Sequence, residues 1–281
     1  MPESSRAYEL VVVFSDGPGG GNPAPIVLDA RDWSDTEMRQ VARDSGHESA
    51  FVVDAAGTGC DLALRFWVPN HEMSMCGHAT VGAVWLARQR GLLPGAGVDG
   101  EPQQLRLHTA SGVVHARLEV DGSVRVSQPP ATVEPVGDDR AVLATLGLER
   151  SQLAGTVRNV TTSRTKTLVA LRDPDVLDSL SPDVARVEQT CTDIGSTGLY
   201  PYARTGERRF DARQFPRASG YPEDAATGIA AAALASALVA DGTARADGRP
   251  IRIRQGRAMG RPSQITITFD TRTDGSVETC W

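Results

Sequence analysis

The residues best suited to chemistry lie in two short stretches, and an apolar run follows each of them. Cys76-Gly77-His78 places a thiol beside an imidazole just before the run that begins at Val81. Asp224-Ala-Ala-Thr227-Gly228 precedes the alanine-rich run 229–238. Both patterns predict a polar loop that opens a helix. Since helix N-termini leave N–H groups unpaired and carry partial positive charge, each stretch predicts a binding site for a substrate carboxylate.

Glu48 is the candidate for moving a proton. It comes just before the apolar run Ala50-Phe51-Val52-Val53, which predicts a strand with Glu48 at its mouth. Partial burial there would raise the pKa of a carboxyl group towards neutrality, so that one side chain could both remove and return a proton. On these residues alone, a solvated surface glutamate is the simpler interpretation.

Three other polar residues admit both a structural and a chemical role. His78 follows a glycine at a helix start, where it either caps and packs or contacts a ligand. A thiol at a helix N-terminus has a lowered pKa, so Cys76 is either reactive or buried and inert. Asp224 and Thr227 both suit helix capping, and a cap beside a binding site can also position a substrate.

Glycines occur in two settings. Gly77 and Gly228 begin the two expected helices and would let a ligand approach the backbone closely, although helix-start geometry alone also explains them. The run from Gly17 to Gly21 lacks the Lys-Ser/Thr pair and the following helix of a phosphate-binding loop.

Composition restricts the partners. The 281-residue chain has a formal net charge of −6, which disfavours nucleic acid and anionic membranes. We see no apolar run long enough to span a bilayer and no N-terminal targeting segment, and we expect a cytoplasmic protein. His71, His108 and His115 have no ligand-type neighbours at useful spacing, and the four cysteines are scattered, so neither a metal site nor a disulfide is expected.

Apolar periodicity and turn residues predict a mixed α+β chain. Helices are expected at 34–44, where Ser34 and Glu37 form a capping-box pattern, and at 139–146, 181–190 and 229–238, with a further helix after Cys76. The strands are expected at 9–14, 25–28, 49–53, 62–68, 105–109, 113–120, 123–127, 157–161, 167–171, 199–203, 208–215, 251–254 and 264–269. Residues 128–135 are expected to break regular structure.

A weak internal repeat predicts two similar halves. Arg65 lies eleven residues before Cys76, and Arg213 lies eleven residues before Asp224. In each half a strand leads through a polar loop into a helix of small residues. We therefore expect the two polar stretches to be facing halves of one active site.

Five motifs resemble the phenazine-biosynthesis (PhzF-like) isomerase family, which has the diaminopimelate-epimerase-like fold. They occur in the family's order along almost the whole chain, at 21–28 (GNPAPIVL), 47–51 (HESAF), 76–80 (CGHAT), 223–228 (EDAATG) and 255–263. The resemblance implies two similar lobes, each a curled, mostly antiparallel sheet around a central helix, with the active site in the cleft. It places residues 1–128 and a returning C-terminal strand, about 264–281, in the first lobe and 129–263 in the second. It also implies a homodimer that uses no cofactor.

The resemblance assigns roles to individual residues. Glu48 matches the glutamate that transfers the proton in the phenazine isomerases, and His78 and Asp224 match the family's histidine and aspartate. Asn22 matches an asparagine beside the cleft. Cys76 stands where the phenazine isomerase itself carries aspartate, although cysteine is frequent there in the wider family.

Other departures concern the substrate. Ala225 replaces the usual proline, and Ile229 replaces a serine whose hydroxyl could contact substrate. Two-base epimerases of this fold use one cysteine in each half, and no cysteine lies near Asp224. A symmetric two-thiol racemase is therefore not expected.

These observations lead to one hypothesis and two alternatives. We expect a cofactor-independent isomerase that moves a proton within a small unsaturated carboxylate, either a dihydroaromatic acid or a pyrroline-type proline precursor, in specialised-metabolite (antibiotic) biosynthesis. Glu48, His78 and Asp224 would be catalytic, and Asn22 and Cys76 would bind substrate together with Gly77, Thr227 and Gly228. The alternatives are an amino-acid epimerase that uses Cys76 and a non-catalytic binding protein on the same fold.

Overall fold

A computed structural model describes residues 7–93 and 101–281. The chain divides into two compact units. Among the described residues, unit 1 comprises the chain up to Val13 and Pro23–Ser127, whereas unit 2 comprises Phe14–Asn22 and Gln128–Trp281.

Unit 1 is a mixed sheet packed on one long helix. Its strands run in the order β1-β2-β3-β4-β6-β7-β8, with β5 paired to β4. The β2–β3 and β4–β6 pairs are parallel, and β3–β4, β4–β5, β6–β7 and β7–β8 are antiparallel. The elements are β1 (Glu9–Val13), β2 (Asn22–Val27), α1 (Asp35–Ser45), β3 (Ser49–Val53), β4 (Leu62–Trp67), β5 (Glu72–Met73), α2 (Gly77–Gln89), β6 (Gln103–Thr109), β7 (Gly112–Leu118) and β8 (Val124–Val126).

Unit 2 has a second such sheet in the order β16-β15-β13-β12-β11-β10-β9, with β14 paired to β12, and a β17–β18 hairpin. Its elements are β9 (Thr132–Pro135), α3 (Arg140–Leu146), β10 (Arg158–Thr161), β11 (Thr165–Leu171), α4 (Pro174–Ser179), α5 (Val184–Asp193), β12 (Gly198–Gly206), β13 (Arg209–Ala212), β14 (Phe215–Pro216), α6 (Gly228–Ala240), β15 (Ile251–Gln255), β16 (Ser263–Ile267), β17 (Phe269–Thr271) and β18 (Val277–Cys280). Short 3-10 turns lie at Arg150–Gln152 and Arg257–Met259.

The two sheets repeat one topology, which confirms the predicted fold of two similar lobes. The sequence β2, β3, β4, β6, β7 is joined parallel, antiparallel, parallel, antiparallel. The sequence β11, β12, β13, β15, β16 is joined in the same way. The helices α2 and α6 occupy equivalent places, and each has 13 residues and begins at a glycine.

This equivalence changes the alignment of the two halves. Because Gly77 corresponds to Gly228, the counterpart of Cys76 is Thr227, and not Asp224 as the eleven-residue spacing indicated. The loop before α6 is three residues longer than the loop before α2 when both are counted from the preceding arginine. The repeat is real, but its polar residues are not at matching positions.

Both central helices are buried on nearly all sides. Small side chains make this possible, because they let the sheet close around the helix axis. In α6 the six residues Ala230–Ala235 are buried, with Leu234 among them, and in α2 the residues Gly82, Ala83 and Ala87 have the same role. The sheets therefore fix where each helix begins.

Helix α1, which precedes Glu48, is capped at both ends. Ser34 and Glu37 form the predicted capping box at the start of α1. Gly46 ends the helix in the left-handed region with a φ of 69°, a conformation that glycine adopts without strain. The chain then turns through His47 and Glu48 into β3, whose bounds match the prediction.

Two expectations differ from the structure. Residues 128–135 were expected to be irregular, yet Thr132–Pro135 forms β9 and pairs with β10; as a sheet edge, β9 tolerates Pro135. The expected return of the C-terminal strand to the first lobe is not seen among the described residues: β16 pairs with β15, and Ile265 and Ile267 pack in the core around α6. None of the described helices has the length and apolarity needed to cross a membrane.

The turn after β15 depends on Gly256. Its φ is 80°, and an added Cβ would lie 2.2 Å from the Arg261 carbonyl oxygen and 2.8 Å from that of Ala225. We expect Gly256→Ala to lower the free energy of unfolding more than Gly260→Ala. Gly260 has a similar φ of 67° but open space around it. The free energy of unfolding lost in Gly260→Ala should therefore reflect backbone strain alone, about 1–2 kcal/mol. Urea denaturation followed by circular dichroism compares the two variants, and equal losses would contradict the steric argument.

Candidate functional site

Unit 1 brings Glu48, Cys76 and His78 together. Glu48 directly precedes β3, Cys76 is the N-cap residue of α2, and His78 lies in the first turn of that helix. The parallel β2–β3 pair and the antiparallel β3–β4 pair hold the start of β3. The start of β3 and the start of α2 thus bring together three chemical groups that are up to 30 residues apart in sequence.

The three groups form a closed hydrogen-bonded triangle. Cys76 Sγ lies 2.9 Å from Glu48 Oε2, and His78 Nδ1 lies 3.3 Å from the same oxygen. The edge from Cys76 Sγ to His78 Nδ1 measures 3.5 Å. The side chain of Glu48 is 12% exposed and that of His78 is 3% exposed, so Glu48 is not the solvated surface residue of the simpler interpretation.

The donors in this triangle follow from chemistry. A carboxylate only accepts, so the Cys76 thiol donates to Glu48, and a proton on His78 Nδ1 would donate to Glu48 as well. His78 Nε2 is buried and has no hydrogen-bond partner within the described part of the chain. The Cys76 side chain makes no capping bond to α2, because its thiol points to Glu48. The arrangement can hold and exchange protons between a carboxyl, a thiol and an imidazole.

Unit 2 brings Asn22, Asp224 and Thr227 together. Asn22 Nδ2 donates to Asp224 Oδ1 at 2.6 Å and to the Ala226 carbonyl at 2.9 Å. The Thr227 hydroxyl donates to Asp224 Oδ2. Asp224 and Asn22 are buried, with exposed fractions of 7% and 5%. The carboxylate is therefore oriented by a hydroxyl three residues away and by an amide 202 residues away in the sequence.

The capping interpretation of Asp224 and Thr227 is wrong in detail. Thr227 is the N-cap residue of α6, but its side chain makes no capping bond, because the hydroxyl is used on Asp224. Neither α2 nor α6 is capped by its N-cap side chain. The N-cap side chains thus leave the first-turn N–H groups of both helices to other partners, and anion binding there stays a prediction.

Gln255 is a site residue that the sequence did not identify as such. Its Nε2 donates to the Asp224 carbonyl at 2.7 Å and to the Thr227 hydroxyl at 3.2 Å, and its Oε1 accepts from the Thr227 N–H at 3.3 Å and from the Tyr200 hydroxyl at 3.1 Å. Ile251, Ile253 and Gln255 are the inward residues of β15. A glutamine in an otherwise apolar alternation was the available signal.

An ion pair holds the loop before α6. Arg213 binds Glu223 through two hydrogen bonds of 2.9 and 2.7 Å, and it also donates to the Leu180 carbonyl at 2.7 Å. Both partners are 10% exposed. The next residue, Asp224, donates its N–H to the Gln214 carbonyl. The loop that presents Asp224 is thus fixed along its backbone on both sides.

The remaining predicted residues have plainer settings. An added Cβ at Gly228 would meet only the Phe14 ring at 3.6 Å, so close approach of a ligand there stays a prediction, as it does for Gly77. All four cysteines are free. Burial raises the pKa of Cys191 to about 11 and that of Cys280 to about 12, so both remain neutral thiols. The shared cleft also stays a prediction.

Comparisons with known proteins show which family this chain is similar to. A family model described as phenazine biosynthesis-like protein matches residues 11–279. An uncharacterized isomerase of Deinococcus radiodurans is 32% identical over 94% of this chain and 87% of its own length. The trans-2,3-dihydro-3-hydroxyanthranilate isomerase of Pseudomonas fluorescens is 31% identical over 95% of this chain and 91% of its own length. A PhzF-family crystal structure from Bacillus anthracis superposes with a TM-score of 0.82 over 97% of this chain and 93% of its own chain. At 23% identity, this similarity is one of fold.

Removal of the Gln255 side chain should destabilise unit 2. We expect Gln255→Ala to cost about 2–4 kcal/mol, because the buried Thr227 N–H and Tyr200 hydroxyl lose their acceptor. Tyr200→Phe removes one partner cleanly and should cost about 1 kcal/mol. Urea denaturation of both variants and of the double variant measures the coupling. A Gln255→Ala protein as stable as Tyr200→Phe would show that this amide does not support the Asp224 loop.

Proposed function

We propose that this chain, which belongs to the phenazine biosynthesis-like (PhzF-like) isomerase family, is a cofactor-independent isomerase that moves a proton within a small unsaturated carboxylate. The observation that carries the proposal is the contact of Glu48 with Cys76 and His78 in a nearly buried triangle. The candidate substrates are a dihydroaromatic acid, the class named for the P. fluorescens relative, and a pyrroline-type proline precursor. A role in specialised-metabolite biosynthesis is part of the proposal.

Glu48 is the proposed proton carrier. A suprafacial hydrogen shift needs one group that removes a proton from a carbon and returns it to another. Glu48 Oε2 is held by donors of two types, and its side chain retains 12% exposure, so the carboxyl is fixed and still accessible. In the reaction the carboxylate takes the proton from the first carbon, electrons shift along the unsaturated system, and the carboxyl returns the proton to the second carbon.

His78 and Asp224 are proposed to orient the substrate. His78 supports the Glu48 carboxylate from the start of α2, and Asp224 is a buried acceptor at the start of α6. A substrate amine or hydroxyl would donate to Asp224, whereas its carboxylate would accept from first-turn N–H groups of α2 or α6. Asn22 and Thr227 hold the Asp224 carboxylate in place, and Cys76 holds that of Glu48.

An epimerase that uses Cys76 is the second candidate, because the thiol lies 2.9 Å from Glu48 Oε2. A thiol–carboxyl pair could remove and return the proton of an amino-acid α-carbon. Such an enzyme would exchange the α-hydrogen of simple amino acids with solvent deuterium and lose that exchange on alkylation of Cys76. Absence of exchange with the amino acids would leave the isomerase as the function.

Glu48→Gln should abolish the proton shift. The amide cannot accept the proton, and we expect kcat to fall by at least about 100-fold while the fold is retained. Glu72→Gln is the matched control, because Glu72 pairs with Arg65 away from the triangle. Turnover of the two candidate substrates in deuterated water, followed by NMR, gives the rate and the position of the label. Near-normal turnover by Glu48→Gln would refute the proposed role.

Asp224→Asn should weaken substrate binding more than it slows the chemical step. The loss of a charged acceptor corresponds to about 1.5–3 kcal/mol, or roughly 10–150-fold in kcat/KM, expressed chiefly in KM. Asp241→Asn is a control at the opposite end of α6, where Asp241 pairs with Arg158. A fall confined to kcat would instead assign Asp224 to proton transfer.

A further inference from the structure

The triangle at Glu48 contains three different kinds of metal ligand. A thiol, an imidazole and a carboxylate suit Zn²⁺ and its thiophilic relatives. Among the residues described by the structure, Glu48, Cys76 and His78 form the one group of three or more such side chains whose ligand atoms all lie within 4.8 Å of one another. Neither the histidine spacing nor the scattered cysteines predicted this site.

The triangle has nearly the dimensions of a tetrahedral zinc site. Bond lengths of about 2.0–2.3 Å place neighbouring ligand atoms about 3.3–3.6 Å apart. The His78–Glu48 edge measures 3.3 Å and the Cys76–His78 edge measures 3.5 Å. Only the Cys76–Glu48 edge, at 2.9 Å, would have to open, by roughly 0.6 Å. A carboxylate on a side chain with partial exposure can make that shift.

We propose that Glu48, Cys76 and His78 form an inhibitory binding site for Zn²⁺, with a water molecule as the fourth ligand. The cation replaces the protons that the three groups share. Binding releases the Cys76 thiol proton to solvent, as well as any proton on His78 Nδ1, so affinity falls as the pH is lowered. The inhibition rests on the proposed function, because the bound metal occupies Glu48; the binding itself does not.

The surroundings indicate a reversible site and not a structural one. Zinc-binding histidines usually donate their second ring nitrogen to a carboxylate or carbonyl, and loss of such a partner costs about 10–100-fold in affinity. His78 Nε2 has no such partner within the described residues. The ion enters a fold that is already complete, so a chelator removes it without unfolding the protein.

Cobalt spectroscopy tests the binding without any substrate. Chelator-treated protein is titrated with Co²⁺, and we expect the intense visible bands of a tetrahedral site together with a thiolate charge-transfer band, both displaced by one equivalent of Zn²⁺. Cys76→Ser should lose the charge-transfer band, and Glu48→Gln should weaken binding by more than about 10-fold. Cys60→Ser is the matched control, because Cys60 is a more exposed thiol that contacts the Thr58 carbonyl, and it should bind like the wild type.

The outcomes separate binding from function. A weak octahedral spectrum in the wild type, or a charge-transfer band lost in Cys60→Ser and kept in Cys76→Ser, would overturn the site whatever the variants' stability. Tetrahedral binding supports it even if Glu48→Gln retains turnover, a result that would refute only the proposed function. In the isomerase assay, Zn²⁺ should inhibit the wild type and Cys60→Ser equally, and a chelator should restore both.

Discussion

The burial of two helices on nearly all sides is the constraint on which the rest of the structure depends. Helices of ordinary amphipathic pattern have a free face that tolerates small rotations. The alanine run of α6 leaves almost no such face, and in α2 the exposed face is a narrow stripe that includes Trp85 and Gln89. Each helix can then begin at only one place. The N-terminal turn, with its unpaired N–H groups, is fixed as firmly as the core itself.

The polar groups at these helix starts follow from that constraint. Capping side chains would satisfy the first-turn N–H groups and remove their attraction for anions. In both units the N-cap side chain is directed elsewhere, Cys76 to Glu48 and Thr227 to Asp224. The cost of leaving a helix uncapped is about 1 kcal/mol, which a tightly packed core offsets. At equivalent positions in the two units, a thiol and a hydroxyl thus both turn away from their helix and bond to a carboxylate.

Local patterns predicted the elements more fully than the contacts between residues that are distant in sequence. The capping box of α1, the bounds of β3 and the helix after Cys76 each depend on neighbours within a few residues, so composition and periodicity sufficed. The contacts of Glu48 and Asp224 do not: Glu48 lies 28 residues from Cys76, and Asp224 lies 202 residues from Asn22 and 31 residues from Gln255. The resemblance to the family, and not a local pattern, assigned Glu48 its role. Strand β9 was missed for the same reason, because its partner β10, and not its proline-rich sequence, stabilises it.

The thiol of Cys76 differs in chemistry from the residue expected at this position. The resemblance places an aspartate here in the phenazine isomerase, and two carboxylates at hydrogen-bond distance must share a proton to coexist. A neutral thiol instead donates to Glu48 without that requirement. The same atom is soft and polarizable, so it also favours thiophilic cations that a second carboxylate would bind poorly. In the proposed mechanism a thiol at this position avoids charge repulsion with Glu48, and in the proposed zinc site it supplies the thiolate ligand.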